Sequence, residues 1–214
     1  MGEGGSGEER GAVSARGRAT RARLLAEARA AILAGDGTLE VAEVARRAGV
    51  SAGLLYRYFG SKDGLVAAVV DAFYDVYDAE VFAVVMAPDA PWPERERTRM
   101  AREIDFLCDD PMGRMVVGRR LREPAAARAD AERLARQVEI GARSIAKGQR
   151  DGELDAAVRP RYAAAAILGG FRELMAAALG EDADPPRAEL LDVMWRTGAS
   201  LLLQSPASDS SSSR

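Results

Sequence analysis

The chain has 214 residues, 48% of them hydrophobic, with a net charge of −3, one cysteine and no histidine. A chain this long buries roughly 70% of its unfolded surface, so it can hold a proper core. The lack of histidine removes the commonest general base, any His-based triad and most zinc sites, and one cysteine allows no internal disulfide.

Helical spacing of apolar residues recurs along the chain, while strand-like alternation is nearly absent; the fold is expected to be all-α. Residues 1–15, rich in Gly, Glu and Ser, are expected to form a disordered tail, and "SPASDSSSSR" (205–214) reads the same way. The N-terminal stretch has no apolar signal core, and no apolar run reaches the roughly 18–20 residues of a membrane helix, so a cytoplasmic location with no membrane partner is expected.

A first helix is predicted from about Arg18 to Ala34, with Leu24, Leu25, Ala28, Ile32 and Leu33 along one stripe and Thr20 as a cap if it starts later. "GDG" (35–37) ends it. A short second helix, about 39–47, places Val41, Val44, Ala45 and Ala48 at helical spacing. Gly49 suits the left-handed position after a helix end, and Ser51 is a natural N-cap for a third helix. Helix, glycine turn, helix is the helix-turn-helix pattern, whose second helix can enter the DNA major groove.

Gly60 breaks the third helix and Ser61 caps a long fourth one, about 61–86, stopped by the three prolines of "APDAPWP" (87–93). Further helices are predicted near 94–108, 112–122, 125–148, 160–179 and 186–204. Residues 151–160 form a linker and 180–186 a turn.

Charge is unevenly spread. Residues 16–62 hold nine Lys/Arg against four Asp/Glu, while residues 63–214 come to −6. A basic segment on an acidic protein points to a local anionic partner. Within it lies "SAGLLYRYFGSK" (51–62). Leu55 and Phe59, four apart, should pack on the first two helices. Ala52 and Gly53 are small enough to let the backbone approach base edges. Leu54 could touch a thymine methyl, and Arg57 guanine or phosphate. Tyr56 and Tyr58 can donate to phosphate oxygens. Lys62, one of only two lysines, sits at the start of the fourth helix, where a cation opposes the helix dipole unless an anion is shared with it.

The run "VAEVARRAGVSAGLLYRYFGSKDGLV" (41–66) resembles the N-terminal domain of the TetR/AcrR family of transcriptional regulators. The matching places are Val44–Ala45, Ala48–Ser51, Gly53, Tyr56–Phe59 and Ser61–Leu65, and the match covers about residues 18–66. Leu54 departs from the Thr or Ala common there, and Glu40 from a common Thr. The resemblance implies a helix-turn-helix DNA-binding domain at 16–66 and a helical ligand-binding and dimerisation domain at 67–204. It implies a dimeric regulator, a repressor, released from a pseudo-palindromic double-stranded DNA operator by a small-molecule ligand of unknown identity. No cofactor, metal or catalytic residue is expected.

In the last helix Leu190, Leu191, Met194, Trp195, Gly198, Leu201 and Leu202 cover more than one face. In "YAAAAILGGFRELMAAAL" (162–179) small residues permit close helix approach. Paired across a two-fold axis, these helices would make a four-helix homodimer interface through Gly169, Gly170, Leu191, Met194, Trp195, Gly198 and Leu202. Trp92, Phe106 and Met115 are candidate ligand-pocket residues, although such residues at helical spacing are more often plain core. Cys108, beside Phe106 and Leu107, reads as a small core residue. Two other readings stand beside the regulator: an all-α enzyme with an apolar substrate, and a ligand-blind architectural DNA-binding protein.

Overall fold

The computed structural model describes residues 5–83, 90–181 and 184–203, with side chains from Ala15 onward. Every regular element among them is helical: α1 (Gly5–Ala34), α2 (Val41–Arg47), α3 (Ala52–Phe59), α4 (Lys62–Tyr77), a π-helical turn (Asp78–Phe82), α5 (Trp92–Asp109), α6 (Pro111–Val116), α7 (Pro124–Arg150), α8 (Pro160–Glu181) and α9 (Arg187–Leu202). The C-terminal tail, the end of the predicted fourth helix (84–86) and residues 1–4 lie outside the described residues.

The apolar stripe of α1 is realised by Leu24, Ala28 and Ile32, all fully buried. The helix extends back to Gly5 rather than starting near Arg18, which leaves Thr20 mid-helix. Its hydroxyl therefore donates to the Arg16 carbonyl at 2.9 Å instead of capping. The turn after α1 is tight. Gly37 has φ 89°, and a Cβ there would overlap the Arg120 carbonyl, so both the backbone and the space demand glycine.

Two serines set the next two helix starts. Ser51 Oγ accepts from Leu54 N at 3.2 Å, and Ser61 Oγ from Gly64 N at 3.0 Å. Between them α3 is only two turns long, and Leu55 anchors it in the core, joined by Val44 and Ala45 of α2. α1, α2 and α3 pack together, and α4 leads from them into the rest of the bundle.

In that bundle α4 packs on α7, α7 on α8, and α5 on α9. α4 runs as an α-helix only to Tyr77; beyond it the Ala83 N–H reaches the Asp78 carbonyl at 2.9 Å, an i→i+5 bond. α6 ends at Val116 instead of about 122, and the chain turns where Arg119 adopts φ 57°. α8 has 22 residues and enough apolar character to cross a membrane by length and composition. The sequence reading missed this because Arg172 and Glu173 interrupt the run. The helix serves instead as a bundle helix, with Ala163, Ala164, Ile167, Leu168, Phe171, Met175 and Leu179 buried inside the chain.

A polar network crosses the bundle core. Tyr77 donates its hydroxyl proton to Glu103, whose other oxygen accepts from Arg99 Nη1 at 3.0 Å. Arg99 Nε also donates to Glu96 at 2.8 Å. Nearby, Tyr74 and Arg172 both donate to Asp130. Burial pushes the Glu103 carboxyl above its ordinary range, and burial beside Glu103 pushes the Tyr77 phenol well above its own.

Candidate nucleic-acid interface and ligand cavity

α3 has two faces. Leu55 is fully buried, while Ala52, Gly53, Tyr56 and Arg57 are exposed. Arg57 makes no ion pair among the described residues, so its guanidinium is available to an outside anion. Leu54 is half-buried at the edge of this face. Tyr58 is half-buried against the core, unlike Tyr56. Its hydroxyl points toward α1, where a Cβ built on Gly17 would lie 3.8 Å away. Arg21 of α1 stands over the Phe59 ring, 5.5 Å from its centroid, adding a cation beside α3 that the motif alone did not indicate.

Lys62 is already paired. Its Nζ lies 2.9 Å from Glu123 Oε1, just ahead of α7, and that bond holds the ammonium above its ordinary value. One residue on, Asp63 takes Arg128 of α7 at 2.8 Å. Asp36 meets Arg120 at 3.2 Å, and Asp110 meets Arg29 of α1 at 2.6 Å. Solvent-exposed ion pairs thus run along the junction between the first three helices and the bundle.

Inside the bundle lies a cavity of about 170 Å³ between α5, α7, α8, α9 and the π turn. Its apolar wall includes Trp92, Met100, Ile140, Leu168 and Trp195, and its polar end is formed by Glu96 and Arg99. Of the three residues expected in a pocket, only Trp92 lines it. Phe106 lines a separate, more open surface pocket with Arg102 and Asp105, and its ring centroid lies 5.7 Å from Phe73 and 5.5 Å from Tyr77. Met115 is a buried residue of the short α6 itself and does not line this cavity. Ile140, Leu168 and Trp195 follow ordinary helical spacing, and no sequence signal separates them from core.

The expected dimer residues divide. Met194, Gly198 and Leu202 are buried within their own chain, and Trp195 lines the cavity, so these four have little surface to give a second copy. Leu191 and Gly169 are half-buried, and Gly170 is exposed. The exposed large apolar side chains of these two helices are Tyr162 on α8 and Val193 and Leu201 on α9. α9 is apolar on two faces, and packing shows which one α5 covers.

Among the described residues no three Cys, Asp or Glu side chains gather as a metal site. Cys108 is half-buried against the core, and burial raises its thiol above the ordinary range.

Residues 24–69 match the family described as bacterial regulatory proteins, tetR family. No curated protein sequence matches the chain. A TetR-family transcriptional regulator from Pectobacterium atrosepticum superposes with a TM-score of 0.71 at 25% identity, covering 90% of this chain and 98% of that one. The transcriptional regulator FadR from Bacillus subtilis, solved with stearoyl-CoA, gives 0.70 at 18% identity, covering 84% and 98%. SmeT, the repressor of the Stenotrophomonas maltophilia multidrug efflux pump SmeDEF, gives 0.69 at 17%, covering 86% and 91%.

Proposed function

The chain belongs to the TetR family of bacterial regulatory proteins through its N-terminal domain, and from that premise we propose that it is a homodimeric repressor. It binds a pseudo-palindromic double-stranded DNA operator through residues 16–66 and leaves it when a small molecule enters the cavity of residues 67–204. The observation that carries this reading is the open face of α3: Ala52, Gly53, Tyr56 and an unpaired Arg57, held outward by a fully buried Leu55. Small residues at the start of such a helix admit the backbone to the major groove, and an unpaired arginine supplies bidentate donors for guanine.

A two-turn helix reads few base pairs, so affinity and specificity call for two copies about 34–36 Å apart on one face of the duplex. The surface proposed for pairing is the outer side of α8 and α9, where Tyr162, Val193 and Leu201 are exposed. At Gly169 and Gly170 an added Cβ would meet nothing within 4 Å, leaving room for a neighbouring helix. Four such helices from two copies make a bundle.

Release is a population shift: ligand favours a conformation in which the two α3 helices are wrongly spaced for DNA. α4 is the physical link, since it begins beside α3 and leads to the π turn whose Phe82 lines the cavity. The protein works as a sensor, without turning over its ligand. The test is selection from random duplex DNA with purified protein at fixed salt. Enrichment of a pseudo-palindrome is expected; enrichment of nothing, with only salt-sensitive general binding, overturns the reading.

A further inference from the structure

Granting the reading above that the cavity is the effector site, its size, walls and charges define what it takes. About 170 Å³ is little more than the roughly 150 Å³ of an apolar protein cavity that holds benzene. It has room for one ring with a short arm.

The polar end is selective because its one guanidinium is already paired with carboxylates. Arg99 donates to Glu96 Oε2 at 2.8 Å and to Glu103 Oε2 at 3.0 Å, and its guanidinium lies 4.9 Å from the centroid of the Phe82 ring. An incoming carboxylate would meet the carboxylates of Glu96 and Glu103 beside that guanidinium and be repelled by them. Ser144 Oγ already accepts from Trp92 Nε1 at 3.4 Å. Glu96 Oε1, by contrast, takes no hydrogen bond among the described residues. Glu96 therefore brings the open acceptor to the cavity wall, while Arg99 is shared between it and Glu103, which does not line the cavity. The Trp92 indole in the cavity wall can attract a cation further, whereas the Trp195 ring already has the Arg97 guanidinium 5.9 Å from its centroid.

We propose that the cavity takes a compact apolar amine, with its ring against Trp92, Trp195 and Leu168 and its protonated nitrogen donating to Glu96. The tryptophans at 92 and 195 are the only two in the chain, and both line the cavity, so their emission reports occupancy directly.

The experiment titrates the whole protein with phenethylamine, 2-phenylethanol and 3-phenylpropanoate, following tryptophan emission, and measures operator release on the same samples. Phenethylamine is expected to bind at least tenfold tighter than 3-phenylpropanoate. Glu96→Gln should abolish that preference while leaving 2-phenylethanol binding within about twofold. Equal or tighter binding of the acid, or a preference unchanged in Glu96→Gln, overturns the proposal. Should Glu96→Gln fail to fold, Gly198→Ala decides. Its added Cβ would meet only Met100 Cε at 3.6 Å and Ile167 Cδ1 at 3.9 Å, ordinary contacts, yet it takes space from the cavity wall. Phenethylamine affinity should fall at least threefold; unchanged affinity would place the amine elsewhere and sink the proposal. The two readings fail separately. Amine binding without operator release upholds the ligand class and removes the release mechanism. Release by acids alone keeps the mechanism and removes the ligand class.

Discussion

Lys62, at the first turn of α4, and Glu123, just ahead of α7, close an ion pair of 2.9 Å at the junction of the helix-turn-helix and the bundle. The lysine placed by its motif to meet a phosphate therefore has a competing anion on its own chain. Glu123→Gln should release it and tighten binding to DNA of any sequence several-fold at low salt. Lys62→Ala should weaken binding uniformly and lower the salt slope by about one. Affinity measured by fluorescence anisotropy across a potassium chloride series checks both. If neither change alters affinity, Lys62 is only a strut between helices.

Arg57 is expected to behave differently, because it stands unpaired on the open face of α3. Arg57→Ala should cost about 1–3 kcal/mol on the selected operator and relax preference at one position of each half-site. Leu54→Ala should shift preference at a neighbouring position. Tyr58→Phe removes a hydroxyl turned toward α1 and should affect DNA less than Tyr56→Phe. Repeating the selection with each variant gives the answer; a uniform loss with Arg57→Ala would make it a phosphate contact.

Gly64 fixes the angle between the recognition helix and α4. A Cβ at this position would overlap the Phe59 carbonyl, which belongs to the last residue of α3. Gly64→Ala should destabilise the protein by about 1–3 kcal/mol by forcing the two helices apart. Operator affinity should fall more than the loss of folded protein explains. Thermal unfolding with and without operator separates the two effects.

The buried Tyr77–Glu103–Arg99 network should make the protein lose stability in two steps as pH rises. Burial raises the Glu103 carboxyl above its ordinary 4.5, so its contribution is fully present below that pH and is lost as pH rises through the folded value. Burial beside Glu103 raises Tyr77 above 10, so above pH 10 the unfolded chain releases a proton that the folded chain retains, and stability falls again. Tyr77→Phe should flatten the second decline. Glu103→Ala should cost about 3 kcal/mol, since it strips Arg99 of a buried partner. Urea unfolding at a series of pH values tests both.

The outer face of α8 and α9 should govern assembly. Val193→Glu with Leu201→Glu alters two exposed side chains, so the fold should survive while the dimer dissociates. Met194→Ala should do the reverse, lowering stability by about 2–5 kcal/mol and leaving assembly intact, because Met194 is buried in its own chain. Sedimentation velocity beside thermal unfolding reads both properties. A charged double variant that still forms dimers moves the interface elsewhere.

Much of the N-terminal half could be read directly from the residues. Ser51 and Ser61 cap the helices they were expected to cap, and Leu55 anchors α3, because capping and glycine turns act over four or five residues and leave local marks. The partner of Lys62 left no such mark, since Glu123 lies far along the chain and on another helix. The cavity was harder still. Trp195 and Met194 are neighbours on one helix with similar apolar character, yet one lines the cavity and the other is core. That difference is set by how α5, α7, α8 and α9 pack, information that no single helix contains.

The π turn at Asp78–Phe82 carries one residue more than an α-helix would fit into the same span. Rewound as α, the chain beyond it would rotate by roughly 100°, the angle one residue subtends in an α-helix. Phe82 would swing away from the cavity and from the Arg99 guanidinium stacked on it. The surplus residue thus sets which way one ring faces: it puts Phe82, at the far end of the helical run that begins beside α3, into the cavity wall beneath Arg99.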